Sequence, residues 1–171
     1  SAASDVYKRQ AGVLLEIAAE MQADVNIIAV PGVTAASAAA AVLGAPLMHD
    51  FAVISLSDCM TPLELIWRRV SLAAEADFVI CLYNPKSRSR TEYLAQAAAL
   101  IGQHRSPDTP VGIVRNAGRA EEKAWITTLK KLPEEPVDMF CVVLIGNSQT
   151  YVQNGKMITP RGYCIHPETQ A

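Results

Sequence analysis

The chain has 171 residues, half of them hydrophobic, and a formal net charge of -2. That is enough apolar material to bury a core in one large domain or two small ones. A near-neutral balance without a Lys/Arg block argues against nucleic acid or an anionic membrane surface as a partner. No apolar run approaches the ~20 residues that span a bilayer. Cys59, Cys81, Cys141 and Cys164 are far apart and show no CxxC spacing, and two of them sit inside apolar runs. They read as small core residues in a reducing, cytoplasmic setting rather than as a disulfide framework or a metal site.

In chain order, the opening SAASDVYKRQ lacks periodicity and is set apart as a non-native or disordered leader. From Ala11, the spacing of Leu14, Ile17, Ala18 and Met21 predicts a helix. Val25 to Val30 reads as a buried strand ended by Pro31-Gly32. Thr34 is placed to cap an alanine-rich helix over Ala35 to Leu43, which Gly44-Ala45-Pro46 stops. Phe51 to Leu56 is a second strand. After a polar turn, Pro62 suits a first helical turn, and Leu63, Ile66, Trp67, Val70 and Ala74 form one apolar stripe to about Glu75.

Phe78 to Tyr83 is a third strand, broken by Asn84-Pro85. Leu94, Ala97, Ala98 and Ile101 then share a helix face. Pro110 to Val114 and residues 124–129 are extended. Pro133 to Asp138 is a Pro- and acid-rich connection, and Phe140 to Ile145 is a strand ended by Gly146-Asn147.

Strands alternating with helices, several of them apolar on both faces, predict an α/β fold with much of its sheet buried. The domain boundary is expected between Gly44 and Asp50. Residues 11–47 then form the remnant of an N-terminal α/β domain, and residues 48–171 a C-terminal one. In such sheets, ligands favour the loops at the carboxyl ends of strands. PGVTAAS, NPKSRSR, RNAGR and GNSQT all follow predicted strands, although turn residues are needed there in any case.

The stretch VPGVTAASAAAAVLGAPLMHDFAVISLSD resembles the central part of the tetrapyrrole methylases. LYNPKSRSR, GIVRNAGR, TTL, VLIGNSQT and MITPRGY follow in the order seen in one branch of that family. That branch contains the precorrin-3B C17-methyltransferases and their cobalt-precorrin-3 counterparts. The resemblance runs from about Ala11 to Tyr163. It implies a two-domain fold with S-adenosylmethionine folded into the cleft between domains. It also implies a Gly-rich GxGPG-like loop and a SGDxGVY-like loop, of which Ser4-Asp5-Val6-Tyr7 is a faint echo. The N-terminal domain is therefore expected to be incomplete.

The resemblance places Thr34 and Ala35 against the cofactor, where a hydroxyl and free N–H groups at a helix start can hold polar atoms. A plain N-cap on a tightly packed helix is the alternative. It places Leu82, Tyr83 and Asn84 along the adenosine pocket, although Asn84-Pro85 also serves as a simple turn. It puts Ala117 at the cofactor and Thr127 and Thr128 near the adenine, or else on an ordinary strand edge.

Arg115, Asn116 and Arg119 are candidates for the substrate's carboxylates, since a guanidinium fork suits a carboxylate. Lys86, Arg88 and Arg90 either attract an acidic macrocycle or form a solvated loop. Methyl transfer from a sulfonium needs alignment and exclusion of water rather than a covalent nucleophile. Enzymes of this branch also contract the macrocycle, a step suited to a base near a ring hydroxyl. His49, Asp50 and Asp58 are the candidates for it, against a hinge or capping role.

The implied activity is S-adenosylmethionine-dependent methylation at C17 with ring contraction, in cobalamin biosynthesis. Methylation at C11 or C20, or a non-catalytic tetrapyrrole-binding or assembly module, are the alternatives. A Rossmann dinucleotide protein lacks its strand–GxGxxG–helix fingerprint here. The expected partner is a small tetrapyrrole, with a homodimer left open by the family.

Overall fold

The structure, a computed structural model, describes residues 3–87 and 90–163. Arg88 and Cys164 lie outside the described residues. The elements in chain order are α1 (Ala3–Glu20), α2 (Ala35–Leu43), β1 (Gly44–Ala45), β2 (Phe51–Ser55), α3 (Leu63–Glu75), β3 (Val79–Tyr83), α4 (Tyr93–Ile101), β4 (Pro110–Arg115), β5 (Lys123–Thr128), β6 (Cys141–Ile145), β7 (Tyr151–Gln153) and β8 (Lys156–Ile158). A 3-10 turn at Leu132–Glu134 precedes β6.

Five strands form the main sheet in the order β2-β3-β6-β4-β5. β2 and β3 are parallel, while β6 is antiparallel to both β3 and β4, and β5 is antiparallel to β4. The helix connections β2-α3-β3 and β3-α4-β4 thus return the chain to strands running in one direction, the arrangement predicted by alternating periodicities.

Side chains alternate between two cores, as the period of two along a strand requires. Ile80, Leu82, Val111, Ile113, Val143 and Ile145 meet Ile66, Val70, Ala73 and Ala74 of α3 and Leu94, Ala97, Ala98 and Ile101 of α4. Cys81, Val114, Val142 and Leu144 face the other way, toward Ala36, Ala39, Ala40 and Leu43 of α2. Both faces of the central strands are therefore covered, which is why β3 and β6 read as unbroken apolar runs.

Alanines let α2 lie close to the sheet, and Gly112 completes the fit, because a Cβ built there would overlap the Leu43 side chain. Gly112→Ala is expected to cost about 1–3 kcal/mol through overpacking. The midpoint of urea unfolding at constant slope measures it.

A three-stranded sheet, β1-β8-β7, is not hydrogen-bonded to the main one, though Met157 of β8 joins the core beneath α2. β7 and β8 form a hairpin whose turn, Asn154-Gly155, has φ of 50° and 71°. That is the left-handed pair that a two-residue hairpin loop demands. Gly44 of β1 sits at φ 131°, and a Cβ there would come within 2.8 Å of the Met157 carbonyl oxygen.

Two expectations are revised. The strand expected at Val25–Val30 is not formed: the stretch is coil, and Val25, Ile28 and Val30 are exposed. An apolar run becomes a strand only when a neighbour supplies ladder hydrogen bonds, and no described strand lies beside it. The first helix begins at Ala3, eight residues ahead of the expected Ala11. No proline or glycine interrupts the sequence between Ala3 and Gln10, so nothing local stops the helix from extending. Across the 44–50 stretch, α2 packs against β3, β4 and β6.

Candidate functional site

β2, β3 and β4 run in the same direction, so Ser55, Tyr83 and Arg115 end at one edge of the sheet. Antiparallel β6 and β5 begin there, with Cys141 and Lys123 both opposite Arg115. The start of α2 comes to the same edge. Thr34 caps α2, accepting the Ala36 N–H at 3.2 Å in the expected N-cap geometry. The Tyr83 hydroxyl accepts the same N–H at 2.7 Å and lies 3.2 Å from Thr34 Oγ1. Ala35, Tyr83 and Ala117 all pack against the core beneath α2. Three loops that are far apart in sequence therefore converge around the start of α2.

Two asparagines shape the strand ends. Asn84 has φ 50° and Asn116 has φ 54°, a conformation that asparagine tolerates better than most residues. Asn84 Nδ2 donates to Ser55 Oγ at 3.0 Å, tying the ends of β2 and β3 together. The Asn116 N–H donates to the Phe140 carbonyl, and the Asn116 carbonyl accepts from Arg119 N–H. Gly118 N–H donates to a Glu122 carboxylate oxygen at 2.6 Å. The turn after β4 is thus held at both ends.

The charged candidates are partly engaged. Arg115 forms a 3.0 Å ion pair with Asp138, with both side chains about two-fifths exposed. Asp138 also accepts from the Phe140 N–H and the Cys141 thiol. Arg119 is exposed. Asp58 pairs with Arg90 at 3.1 Å and accepts from the Tyr93 hydroxyl at 2.8 Å. The Tyr93 hydrogen bond, followed by smaller contributions that include Arg90, holds the Asp58 carboxyl below the usual carboxylate range. Asp58 is therefore a weakened base that ties the 56–62 turn to the start of α4. Arg90 also bonds Ser87, so it braces a loop rather than standing free for an anion.

Other candidates lie elsewhere. Leu82 is fully buried among α3 and α4 residues, on the opposite face from Tyr83. His49 and Asp50 precede β2, at the far edge, where the Asp50 carbonyl accepts from Val79 N–H. The five residues of β2 put about 16 Å between them and the Tyr83 edge. His49 Nδ1 accepts the Asp50 N–H at 3.0 Å, the local cap-like alternative. Thr127 and Thr128 pair with Val111 and Pro110 at that same far end. There they line an open pocket of about 580 Å³ with Asp108, Ile126, Lys131 and Glu135. The GNSQT turn is also at the far edge, because β6 runs against β3 and β4.

Neither buried thiol offers a nucleophile. Burial pushes Cys81 up to about 12 and Cys141 up to about 11, and thiols so shifted stay protonated near neutrality. No group of three or more His, Cys, Asp or Glu able to hold a metal occurs among the described residues.

Ser55, Tyr93 and Asp138 were not singled out from the sequence as site residues. Each acts through a partner far along the chain, for instance Tyr93 on Asp58, 35 positions apart. Only the acid-rich connection before β6 hinted at Asp138.

The fold and this edge define an α/β protein whose ligand-type loops gather at strand ends beside a helix start. The chain belongs to the tetrapyrrole (corrin/porphyrin) methylase family, whose model matches residues 7–133. It is 54% identical over 155 residues to a probable cobalt-factor III C(17)-methyltransferase of Salmonella typhimurium, covering 91% of this chain and 64% of that protein. It is 43% identical over 144 residues to a precorrin-3B C(17)-methyltransferase of Sinorhizobium sp, covering 81% and 57%. Among solved structures, the methyltransferase CobJ superposes with a TM-score of 0.81 at 34% identity, covering 87% of this chain and 63% of that one. The chain thus spans somewhat under two thirds of these relatives' length.

Proposed function

We propose that this protein transfers a methyl group from S-adenosylmethionine to C17 of a precorrin-3B or cobalt-factor III macrocycle, with associated ring contraction, in cobalamin biosynthesis. The observation that carries the reading is the meeting of Thr34, Tyr83 and Ala117 around the start of α2. The 54% identity to the Salmonella relative supports the choice of branch. The residues fit the cofactor's chemistry. Thr34 and Tyr83 offer hydroxyls, the first turn of α2 offers N–H groups without helical partners, and Ala35 and Ala117 leave room beside them. When bound, the cofactor supplies a methyl group already activated by its sulfonium charge.

On this reading Thr34, Ala35, Asn84 and Ala117 hold the cofactor, with Tyr83 among them at the end of β3. Leu82 contributes through its backbone, while Thr127 and Thr128, at the opposite end of β4 and β5, lie outside this cleft. Arg115, Asn116 and Arg119 receive the macrocycle's carboxylates. Arg115 does so by exchanging or sharing its bond to Asp138, since both remain open to solvent. Asp58, at the Tyr83 edge, is better situated to face a substrate than His49 or Asp50. Its two partners suit it to orienting more than to proton abstraction. The protein works in the cytoplasm on a small tetrapyrrole, as a monomer or a homodimer. No described helix is long and apolar enough to cross a membrane.

Calorimetric titration with S-adenosylhomocysteine is expected to show saturable one-site binding. Incubation of the complete protein with S-adenosylmethionine and a precorrin-3-type substrate should give a product methylated at C17 by NMR. Methyl at C11 or C20 rejects the regiochemistry. Tetrapyrrole binding without turnover would instead favour a non-catalytic module.

A further inference from the structure

We infer that Tyr83 is a positioning residue whose hydroxyl sets the Thr34 hydroxyl and the first turn of α2 for the cofactor. The inference rests on the reading above and deepens it, because it assigns Tyr83 an action through α2 rather than a direct contact.

Three polar atoms form a closed triangle. Ala36 N–H points at Tyr83 Oη, 2.7 Å away, and at Thr34 Oγ1, 3.2 Å away, while the two oxygens are 3.2 Å apart. The shorter bond goes to the residue 47 positions away, not to the local cap. The Thr34 cap already gives the Ala36 N–H an acceptor, so the tyrosine is not needed to start α2. What it adds is a fixed link between the end of β3 and the 31–34 loop.

That loop has little else to hold it. Pro31, Gly32 and Val33 are exposed, and no regular structure is assigned between Ala23 and Thr34. Tyr83 itself is well placed to act as an anchor. Its ring packs on the core beneath α2, and its backbone is locked between β2 and the turn at Leu56, whose N–H donates to the Tyr83 carbonyl.

The hydrogen count gives the link a chemical consequence. Both oxygens can accept from Ala36 N–H, and one hydroxyl proton is used between them. One proton then remains to donate to a ligand acceptor. Without Tyr83 Oη, the Thr34 hydroxyl is free to rotate, and its proton is no longer directed by a fixed neighbour. A donor that must be ordered at the moment of binding contributes less than one already held.

The test is a double-mutant cycle read by calorimetry with S-adenosylhomocysteine, using Tyr83→Phe, Thr34→Ala and both together. Tyr83→Phe keeps the packed ring and leaves Ala36 N–H its bond to Thr34, so the thermal midpoint should move little. The dissociation constant should rise roughly 5- to 10-fold, the value of one well-placed hydrogen bond. In the double variant the two losses should combine to less than their sum, because the orienting of the Thr34 hydroxyl is already gone in Thr34→Ala and only the link to Ala36 N–H remains for Tyr83 to lose. Two results would overturn the inference: unchanged affinity in Tyr83→Phe, or losses that simply add, which mark a direct contact. Absence of saturable binding by the unaltered protein removes the underlying reading, and the inference with it.

Discussion

Replacing Asp77 by asparagine is expected to destabilise the protein by about 2–3 kcal/mol, far more than its position in a partly exposed turn suggests. Its partner Arg105 is almost wholly buried, with the side chain 4% exposed against 40% for Asp77, and the two are 3.1 Å apart. Burial pulls the Arg105 guanidinium down from its ordinary range, and Asp77 opposes that shift. Arg105 also reaches the Phe78 and His104 carbonyls at 3.4 and 3.3 Å, and its Nε is buried without a partner. Remove the carboxylate charge, and a buried cation keeps only long bonds to neutral groups. That is the situation in which a broken pair costs most.

Asparagine is chosen because Asp77 has φ 59°, a conformation it tolerates, so no backbone strain is added to the loss of charge. Asp77 also receives the Ser148 N–H and hydroxyl at 2.9 and 2.7 Å, and an amide oxygen can retain one of these. The exposed pair Lys130–Asp108 provides the contrast. It is shorter, at 2.6 Å, but its side chains are 53% and 71% exposed. Asp108→Asn should therefore cost less than about 0.5 kcal/mol. Urea unfolding of both variants decides the matter, and equal costs would mean that burial of Arg105 is not what gives the pair its weight.

The contrast between Val25–Val30 and β6 shows what a sequence can and cannot announce. Both are short apolar runs, and both were expected to be buried strands. β6 is buried on both sides and bonded to β3 and β4. The earlier run has no described neighbour and remains exposed coil. Hydrophobicity states a need for burial, and only the rest of the fold can meet it. Helices α2, α3 and α4 were legible because periodicity is a local property. β1, β7 and β8 were not, since two or three residues carry no detectable period, although Asn154-Gly155 marks the hairpin locally.

Site residues divide in the same way. A motif at a strand end can be placed once the strand's direction is known, and direction is what periodicity omits. RNAGR and NPKSRSR follow β4 and β3, which run together. GNSQT follows β6, which runs against them, so the same kind of motif lands at the opposite edge. His49-Asp50 fails as a neighbour of Tyr83 for a related reason, since it enters β2 where Tyr83 leaves β3.

The strongest functional consequence is expected at Thr34. Thr34→Trp should weaken S-adenosylhomocysteine binding by more than about 100-fold, equivalent to about 2.7 kcal/mol. The residue is half-buried and stands where the 31–34 loop, Tyr83 and α2 meet. An indole there is kept from the core, because Ala36 behind it is buried to 1% exposure, and it takes up room beside the three loops.

The same change removes the cap hydroxyl, a loss of about 1 kcal/mol to the fold, so folding and binding must be separated. Thr34→Ala supplies the separation, since it loses the same hydroxyl without adding bulk. Its thermal midpoint should fall about as far as that of the tryptophan variant, while its affinity falls only about tenfold. If the two variants bind alike, bulk at Thr34 meets no ligand, and the start of α2 is a capped helix and nothing more. If tryptophan alone abolishes binding while both variants unfold together, the space beside Thr34 is the space the cofactor fills.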